Sequence, residues 1–314
     1  QSHEIIRTWA FYTIVKAWMH ENEIPWKHVT ISGWVLDPDR KKMSKSKGNV
    51  VTPMDMLDEY SSDAVRYWAA SGRPGTDTAF DIGQMKIGRR LAIKLLNASK
   101  FALTLSQLSS DLDRANITAA TINEPVDQAL LAKLALTVGS ATNAFEDFNY
   151  AKALDATETF FWEFTDDYVE LVKERAYGET EGVNSESARA TLLITLDTLL
   201  RLFAPFLPFT TEETWSWFNN DSIHTSHWPD SDTLRAVAPS GNIAALATAT
   251  QALRMIRKTK SEAKLSMRAV VSAAVFTGTP EMLKHLDSVA TDLKAAGSIE
   301  ELETVSAPDA TDLQ

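Results

Sequence analysis

Arg40-Lys41-Lys42-Met43-Ser44-Lys45-Ser46-Lys47-Gly48-Asn49 puts five cations and two hydroxyls into ten residues, with no acid among them. The stretch before it, HVTISGWVLD (28–37), is rich in β-branched and aromatic residues and ends in the turn Asp37-Pro38-Asp39. After it, Thr52-Pro53 opens a helical pattern, with Pro at the first helical position and Asp55 in the opening turn. The run is therefore read as a loop between a strand and a helix. Four lysines cannot all be buried unpaired, so they face solvent or a ligand. Ammonium groups, hydroxyls and a free glycine amide suit phosphate, and lysine is a mobile point charge that can follow developing negative charge. The pattern GxxxxGK[ST] is absent, so this is not a Walker loop. A solvated basic loop or a nucleic-acid patch would use the same residues.

Charge is unevenly spread around this loop. The chain of 314 residues carries a formal charge of −11. Its first 100 residues hold 15 Lys and Arg against 11 Asp and Glu, and the other 214 hold 16 against 31. The asymmetry points to a polyanionic partner near the N-terminal third. Zero cysteines exclude disulfides and thiolate metal sites and fit a reducing cytoplasm. The six histidines are scattered, so no protein-held metal is expected. No apolar run approaches ~18 residues, so no membrane span is expected. The length suits about two domains.

The rest of the pattern is helical. Residues 3–20 carry apolar positions at mixed three and four spacing, and Ser62 is placed as the cap of a second helix after the loop. A long helix is expected from Asp81 to about residue 107, then helices over 126–147, 150–176 and 185–204. Thr210 and Glu213 have capping-box spacing for the next helix. Segment 221–243 reads as a linker. Beyond it come a helix, a strand over 269–278, another helix and a last strand near 301–305, with 307–314 as a disordered tail. The fold class expected is mostly α with an α/β N-terminal part, bounded at 1–80, 81–220 and 244–306.

The exact letters narrow the function. Lys42-Met43-Ser44-Lys45-Ser46 matches the KMSKS signature of class I aminoacyl-tRNA synthetases, as does its continuation through Gly48, Asn49 and Pro53. PWKHVTISGWVLDPDRKKMSKSKGNVVTP and SSDAVRYWAAS resemble the valine, isoleucine and leucine subgroup. PGTDTAFD, GRRLAIKLLNASKFAL and IHTSHWP are similar to valyl-tRNA synthetases in particular. NYAKALDATETFFWEFTDDYVELVK and LLRLFAPFLPFTTEETW resemble that family's anticodon-binding helices.

The resemblance implies the end of a Rossmann-type catalytic domain, a KMSKS connector, a helical anticodon-binding bundle and a small α/β appendage. It implies a monomeric parent enzyme that activates valine with ATP and magnesium and transfers it to tRNA(Val). Lys42 and Lys45 would act on the triphosphate, and Met43, Ser44, Ser46 and Gly33 would complete the ATP site. In the family an acid lies five residues before a tryptophan, near the amino-acid ammonium. Glu4 and Trp9 have that spacing, although the usual acid is Asp. A surface Glu and a core Trp are the alternative. The family's HxGH motif and editing insertion have no counterpart here, so the resemblance places this chain downstream of both. A chain without that half is expected not to activate valine alone. Isoleucine and leucine remain open as substrates, and so does a non-catalytic tRNA-binding role.

The helix after Asp81 offers a separate argument. Beside its apolar stripe run Arg90, Lys94, Asn97 and Phe101, at spacings of four, three and four on one face. Cations, an amide and an aromatic ring suit a single-stranded RNA loop, and equally a solvated face with Phe101 tucked into the bundle. A second basic stretch, Arg254 to Arg268, is open between a tRNA backbone contact and a solvated face. Phe160, Phe161, Trp162, Phe164, Trp215 and Trp217 are expected in the bundle core.

Overall fold

The computed structural model describes residues 2–109, 116–178 and 185–314, and at Lys45 the backbone only. The chain divides into two compact units. The first comprises Gln1–Leu95, Ser140–Ala156 and Phe203–His224. The second comprises Leu96–Gly139, Thr157–Leu202 and Thr225–Gln314.

The first unit opens with a 3-10 turn, His3–Arg7, and helix α1, Trp9–Glu21. Asn22 ends α1 in the left-handed conformation at φ 54°. Helix α1 is apolar on most sides, yet Ala10 is its only buried residue. Trp9, Phe11, Tyr12, Trp18 and Met19 are all more than half exposed. Strand β1 is short, Val35–Leu36, and pairs in parallel with β2, Thr78–Ala79. Gly33 allows this pairing, because a Cβ there would lie 2.1 Å from the Thr76 carbonyl.

Helices α2, Met54–Tyr60, and α3, Ser62–Ser71, follow the lysine loop. Pro53 occupies the cap position of α2 rather than its first turn. Ser62 does not cap α3, since the cap position belongs to Ser61 at φ 85°, with no side-chain bond. Tyr60, Ala64 and Met85 form the core here, with Met56, Val65, Trp68 and Phe80 packed around them.

Helices make up most of the chain. Helix α4 spans Ile82–Ser106, and Asp81 caps it by accepting from Gly83 N at 2.7 Å. Leu91, Leu95, Ala102 and Leu105 are buried along it, as the apolar stripe predicts. Helices α5, Pro125–Glu146, and α6, Tyr150–Glu163, follow. A π-turn at Phe164–Tyr168 separates α6 from α7, Val169–Tyr177, where the sequence reads as one helix. Helix α8 covers Ser185–Phe203. Helix α9, Pro208–Trp215, starts two residues before the expected capping box, with Pro208 in its first turn. Its orphan amides are met from elsewhere: Asp63, 3% exposed, accepts from Phe209 N at 3.2 Å and Thr210 N at 2.7 Å.

The second unit contains all but the first four residues of the segment expected as a linker. It holds helix α10, Ser231–Val237, capped by Asp230, with Leu234 and Ala238 buried. Helix α11 covers Ile243–Glu262. Strands β3, Val271–Gly278, and β4, Ile299–Ser306, pair in parallel, with α12, Pro280–Asp287, and α13, Ala290–Gly297, making the crossover. The tail expected to be disordered folds back. Gln314 and Thr277 exchange two 2.8 Å backbone hydrogen bonds, and Leu313 is 4% exposed. Pairing with the free edge of β3 and burying a leucine outweigh the polarity of the segment.

Arg175 organises the buried polar centre of this unit. Its guanidinium donates to both oxygens of Asp127 at 2.8 Å and to Asp292 at 2.8 and 2.9 Å. Asp127 also accepts from Tyr168 Oη and Ser187 Oγ, each at 2.7 Å. Two carboxylates share one guanidinium here. Burial then lifts the carboxyl of Asp292 to about 6, and raises the Tyr168 phenol well above its usual range.

Candidate functional site

The lysine loop is held at its two ends. Asp37, 6% exposed, ends β1 and accepts from Lys41 N at 2.7 Å through Oδ1. Backbone bonds from Arg40 N to Asp37 O and from Asp37 N to Lys41 O, both 2.9 Å, close the turn. Arg40 takes φ 60° in it, a left-handed conformation that L-residues adopt at a cost. At the far end Asn49 Nδ2 donates to Asp37 Oδ2 at 2.7 Å, and Asn49 Oδ1 accepts from Ser44 N at 2.9 Å. Gly48, at φ 68° in open space, gives the turn that brings Asn49 back. The bonds from Lys41 and Asn49 hold the Asp37 carboxyl below its ordinary range.

Within this frame the loop residues are displayed. Residues Lys45–Lys47 form a 3-10 turn, and the hydroxyls of Ser44 and Ser46 lie 2.6 Å apart. Lys41 is exposed, 3.9 Å from Asp39. Met43 is half-buried. The side chain of Lys45 lies outside the described residues. Asp37 and Asn49 were not singled out as functional from sequence. Asn49 carried a signal, because it lies within the stretch that matches the signature's continuation.

Lys42 and Glu4 come together. Lys42 Nζ donates to Glu4 Oε2 at 2.5 Å and sits 4.1 Å from the centre of the Trp34 ring. Trp34 Nε1 donates to the same Glu4 oxygen at 3.0 Å, and the His3 ring packs on Trp34 at 4.4 Å. Lys42 holds the Glu4 carboxyl below its ordinary range. Trp9 is not a core residue. It is 52% exposed and stacks on Trp26 at 5.4 Å with the rings 4° from parallel. Gly33 lies against the backbone of 76–77, which accounts for its lack of a side chain.

On α4, Arg90 and Asn97 are exposed, and Lys94 and Phe101 are half-buried. Phe101 meets Tyr177 edge-on at 6.1 Å. The second basic stretch is divided: Lys258, Lys264 and Arg268 are exposed, while other cations have partners within the fold. Arg254 pairs with Asp167, Arg257 Nη2 with Glu170 at 2.8 Å, and Lys260 Nζ with the carbonyls of Met267 and Gly297 at 3.0 and 2.8 Å. These cations tie α11 to its neighbours. Phe160, Phe161, Phe164 and Trp215 are buried as expected, Trp162 is half-buried, and Trp217 is 37% exposed. Among the described residues no group of three or more His, Asp or Glu side chains could hold a metal, and no helix is long and apolar enough to cross a membrane.

Residues 1–81 match the family described as tRNA synthetases class I (I, L, M and V), and residues 127–275 match the anticodon-binding domain of tRNA ligase. The chain belongs to the class I tRNA synthetases, with the lysine loop inside the first match and the helical segments from α5 to β3 inside the second. Within that class its similarity is to the valine--tRNA ligases. It is 54% identical to the enzyme of Thermobifida fusca (strain YX) over 99% of this chain and 34% of that protein. It is 51% identical to that of Salinispora tropica over 98% and 37%. The chain thus spans about a third of the length of the curated relatives it matches. Among solved structures, the LeuRS chain of a ternary LeuRS-tRNA-LeuAMS complex from Agrobacterium radiobacter K84 matches the fold with TM-score 0.57 at 24% identity, over 72% of this chain and 27% of that one.

Proposed function

We propose that this chain carries the ATP loop and the tRNA-reading helices of a valine--tRNA ligase. The reaction of the whole enzyme joins valine to the α-phosphate of ATP, releases pyrophosphate, and passes the valyl group to tRNA(Val). Lys42 and Lys45 neutralise charge that develops on the departing pyrophosphate, where water-poor surroundings make an ammonium most effective. Ser44, Ser46 and Met43 shape the loop around the phosphates, and Gly33, without a side chain, completes the nucleotide site. Magnesium arrives with the ATP phosphates. Glu4 receives the valine ammonium, and the exposed, stacked face of Trp9 lines the side-chain pocket. Arg90, Lys94, Asn97 and Phe101 on α4 meet the anticodon loop. An upstream half of the nucleotide fold would cover the apolar faces of α1, and without it the chain does not activate valine.

The observation that carries this reading is the loop itself: a cation cluster displayed on a frame clamped by Asp37 and Asn49, with Gly48 at φ 68° as its hinge. The decisive experiment is binding of the purified chain to valine tRNA, against isoleucine and leucine tRNAs and a valine tRNA with a changed middle anticodon base, across a salt series. Selective binding lost on the anticodon change is expected. Binding that ignores sequence and vanishes with salt would reduce the α4 face to a generic basic surface.

A further inference from the structure

The Glu4 carboxylate has two roles to fill and one oxygen doing the work. In the proposed reading it takes the ammonium of the amino acid. In this structure its Oε2 already holds the ammonium of Lys42 at 2.5 Å and the Trp34 indole at 3.0 Å. The nearest acids of the loop, Asp37 and Asp39, are engaged elsewhere among the described residues. Asp37 is occupied by Lys41 N and Asn49, and Asp39 lies beside Lys41. Trp34 fixes both partners, since its ring edge donates to Glu4 while its face carries the Lys42 cation at 4.1 Å. Glu4 and Lys42 stand 38 residues apart in sequence, so this is a tertiary contact between the 3-10 turn and the loop.

We propose that Glu4 is a latch: it holds Lys42 away from the phosphate site until a ligand ammonium takes its carboxylate, which frees Lys42 to engage the triphosphate. The inference rests on the reading of Glu4 as the amino-acid carboxylate and adds an order of events to it. Two ammonium groups compete for one carboxylate oxygen. Occupancy of the amine site and release of the loop lysine are therefore one event, coupled through Glu4. Glu4 acts on the phosphates only through Lys42 and is a positioning residue in that step. The contact is half exposed on both sides, so the latch is weak enough for a ligand amine to open.

Amine labelling of the chain tests this. A limiting acetylating ester is added, and the Asp-N peptide 39–54, which holds Lys41 and Lys42, is analysed by mass spectrometry. An ion-paired ammonium reacts more slowly than a free one, and Lys41 serves as the internal standard. Glu4→Gln should raise the Lys42 to Lys41 ratio about two- to five-fold. Saturating valine should raise it similarly in the wild type and not in Glu4→Gln, whereas isovalerate, which lacks the ammonium, should not. An unchanged ratio in a Glu4→Gln protein with wild-type melting temperature would overturn the latch. A wild-type ratio insensitive to valine, or equally raised by isovalerate, would overturn displacement by the ammonium, and this arm needs no variant. ATP with magnesium, added in parallel, separates the two readings. Protected loop lysines with an inert Glu4 sink the latch alone, and loop lysines that ATP leaves unprotected sink the ATP-loop reading.

Discussion

Asn49 Nδ2 donates to Asp37 Oδ2 at 2.7 Å, so the two ends of the lysine loop are fastened to each other across twelve residues of chain. The loop is therefore not a floppy cluster of charge. Its cations are displayed by a frame that sequence patterning does not reveal. Asn49→Ala removes the side-chain bonds to Asp37, Ser44 and the Lys42 carbonyl while leaving every cation in place. It should speed tryptic cleavage between Arg40 and Lys47 about two- to ten-fold relative to sites elsewhere, measured by mass spectrometry of early digests. An unchanged cleavage pattern would mean that the backbone turn at 37–41 holds the loop without Asn49.

Asp63 caps a helix far from itself in sequence. It accepts from Phe209 N, 146 residues on, and from Thr210 N, 147 residues on. Asp63→Ala leaves two amides of α9 without a partner in a site where Asp63 is 3% exposed. The expected loss is about 1–3 kcal/mol of stability, measured by urea denaturation. Thr210→Val, which removes only a hydroxyl donor to the same carboxylate, should cost less.

The parts legible in the sequence are those with a local signal. The loop announced itself by cation density and fixed letters, and α4 by an apolar stripe that does become buried at Leu91, Leu95, Ala102 and Leu105. Contacts between distant residues have no period to read. In sequence Asp63 is one acid in the first turn of α3 and Arg175 one charge on α7, and neither shows its distant partners. Helix α10 was passed over because Asn, Asp, Ser and Pro dominate its surroundings, although Asp230 supplies an N-cap with bonds to Asp232 N and Thr233 N at 3.3 and 3.0 Å. The partners of Arg254 and Arg257 on α11 were illegible for the same reason as those of Asp63 and Arg175. These acids, Asp167 and Glu170, come from another part of the chain.

The pairing of Arg257 bears on RNA binding. Arg257→Ala breaks a bond to Glu170 and one to the Asp166 carbonyl. It should lower the melting temperature by a few degrees, consistent with about 1 kcal/mol, and leave the salt dependence of tRNA binding unchanged. A reduced salt slope would show that Arg257 spends its charge on phosphate.

Asp292 makes the second unit lose stability as pH rises out of mild acid. Its carboxyl is raised from 3.8 to about 6 by burial, which outweighs the Arg175 guanidinium and is reinforced by the nearby Asp127 charge. The folded protein therefore keeps a proton that the unfolded chain gives up between those two values. Stability should fall as pH rises from about 4 to 6 and level off above, by on the order of 2–3 kcal/mol from this group. Asp292→Asn should flatten that part of the profile. Denaturation at pH 4, 5, 6 and 7 for both proteins measures it, and identical slopes would mean that the shared guanidinium neutralises both carboxylates.

The α4 face can be divided by the kind of contact each side chain would make. Arg90 is exposed and, on the proposed reading, holds a phosphate of the anticodon loop. Arg90→Ala should weaken binding of every tRNA alike and reduce the slope of log affinity against log salt by roughly 0.7–0.9. Phe101 is half-buried, meets Tyr177 edge-on and, on the proposed reading, stacks on a base. Phe101→Leu should cost about 1–3 kcal/mol of binding to valine tRNA, with no change in salt slope. Both follow from fluorescence titrations at several salt concentrations. If Phe101→Leu lowers the melting temperature and leaves affinity untouched, the ring belongs to the packing between α4 and Tyr177, and the RNA is read elsewhere.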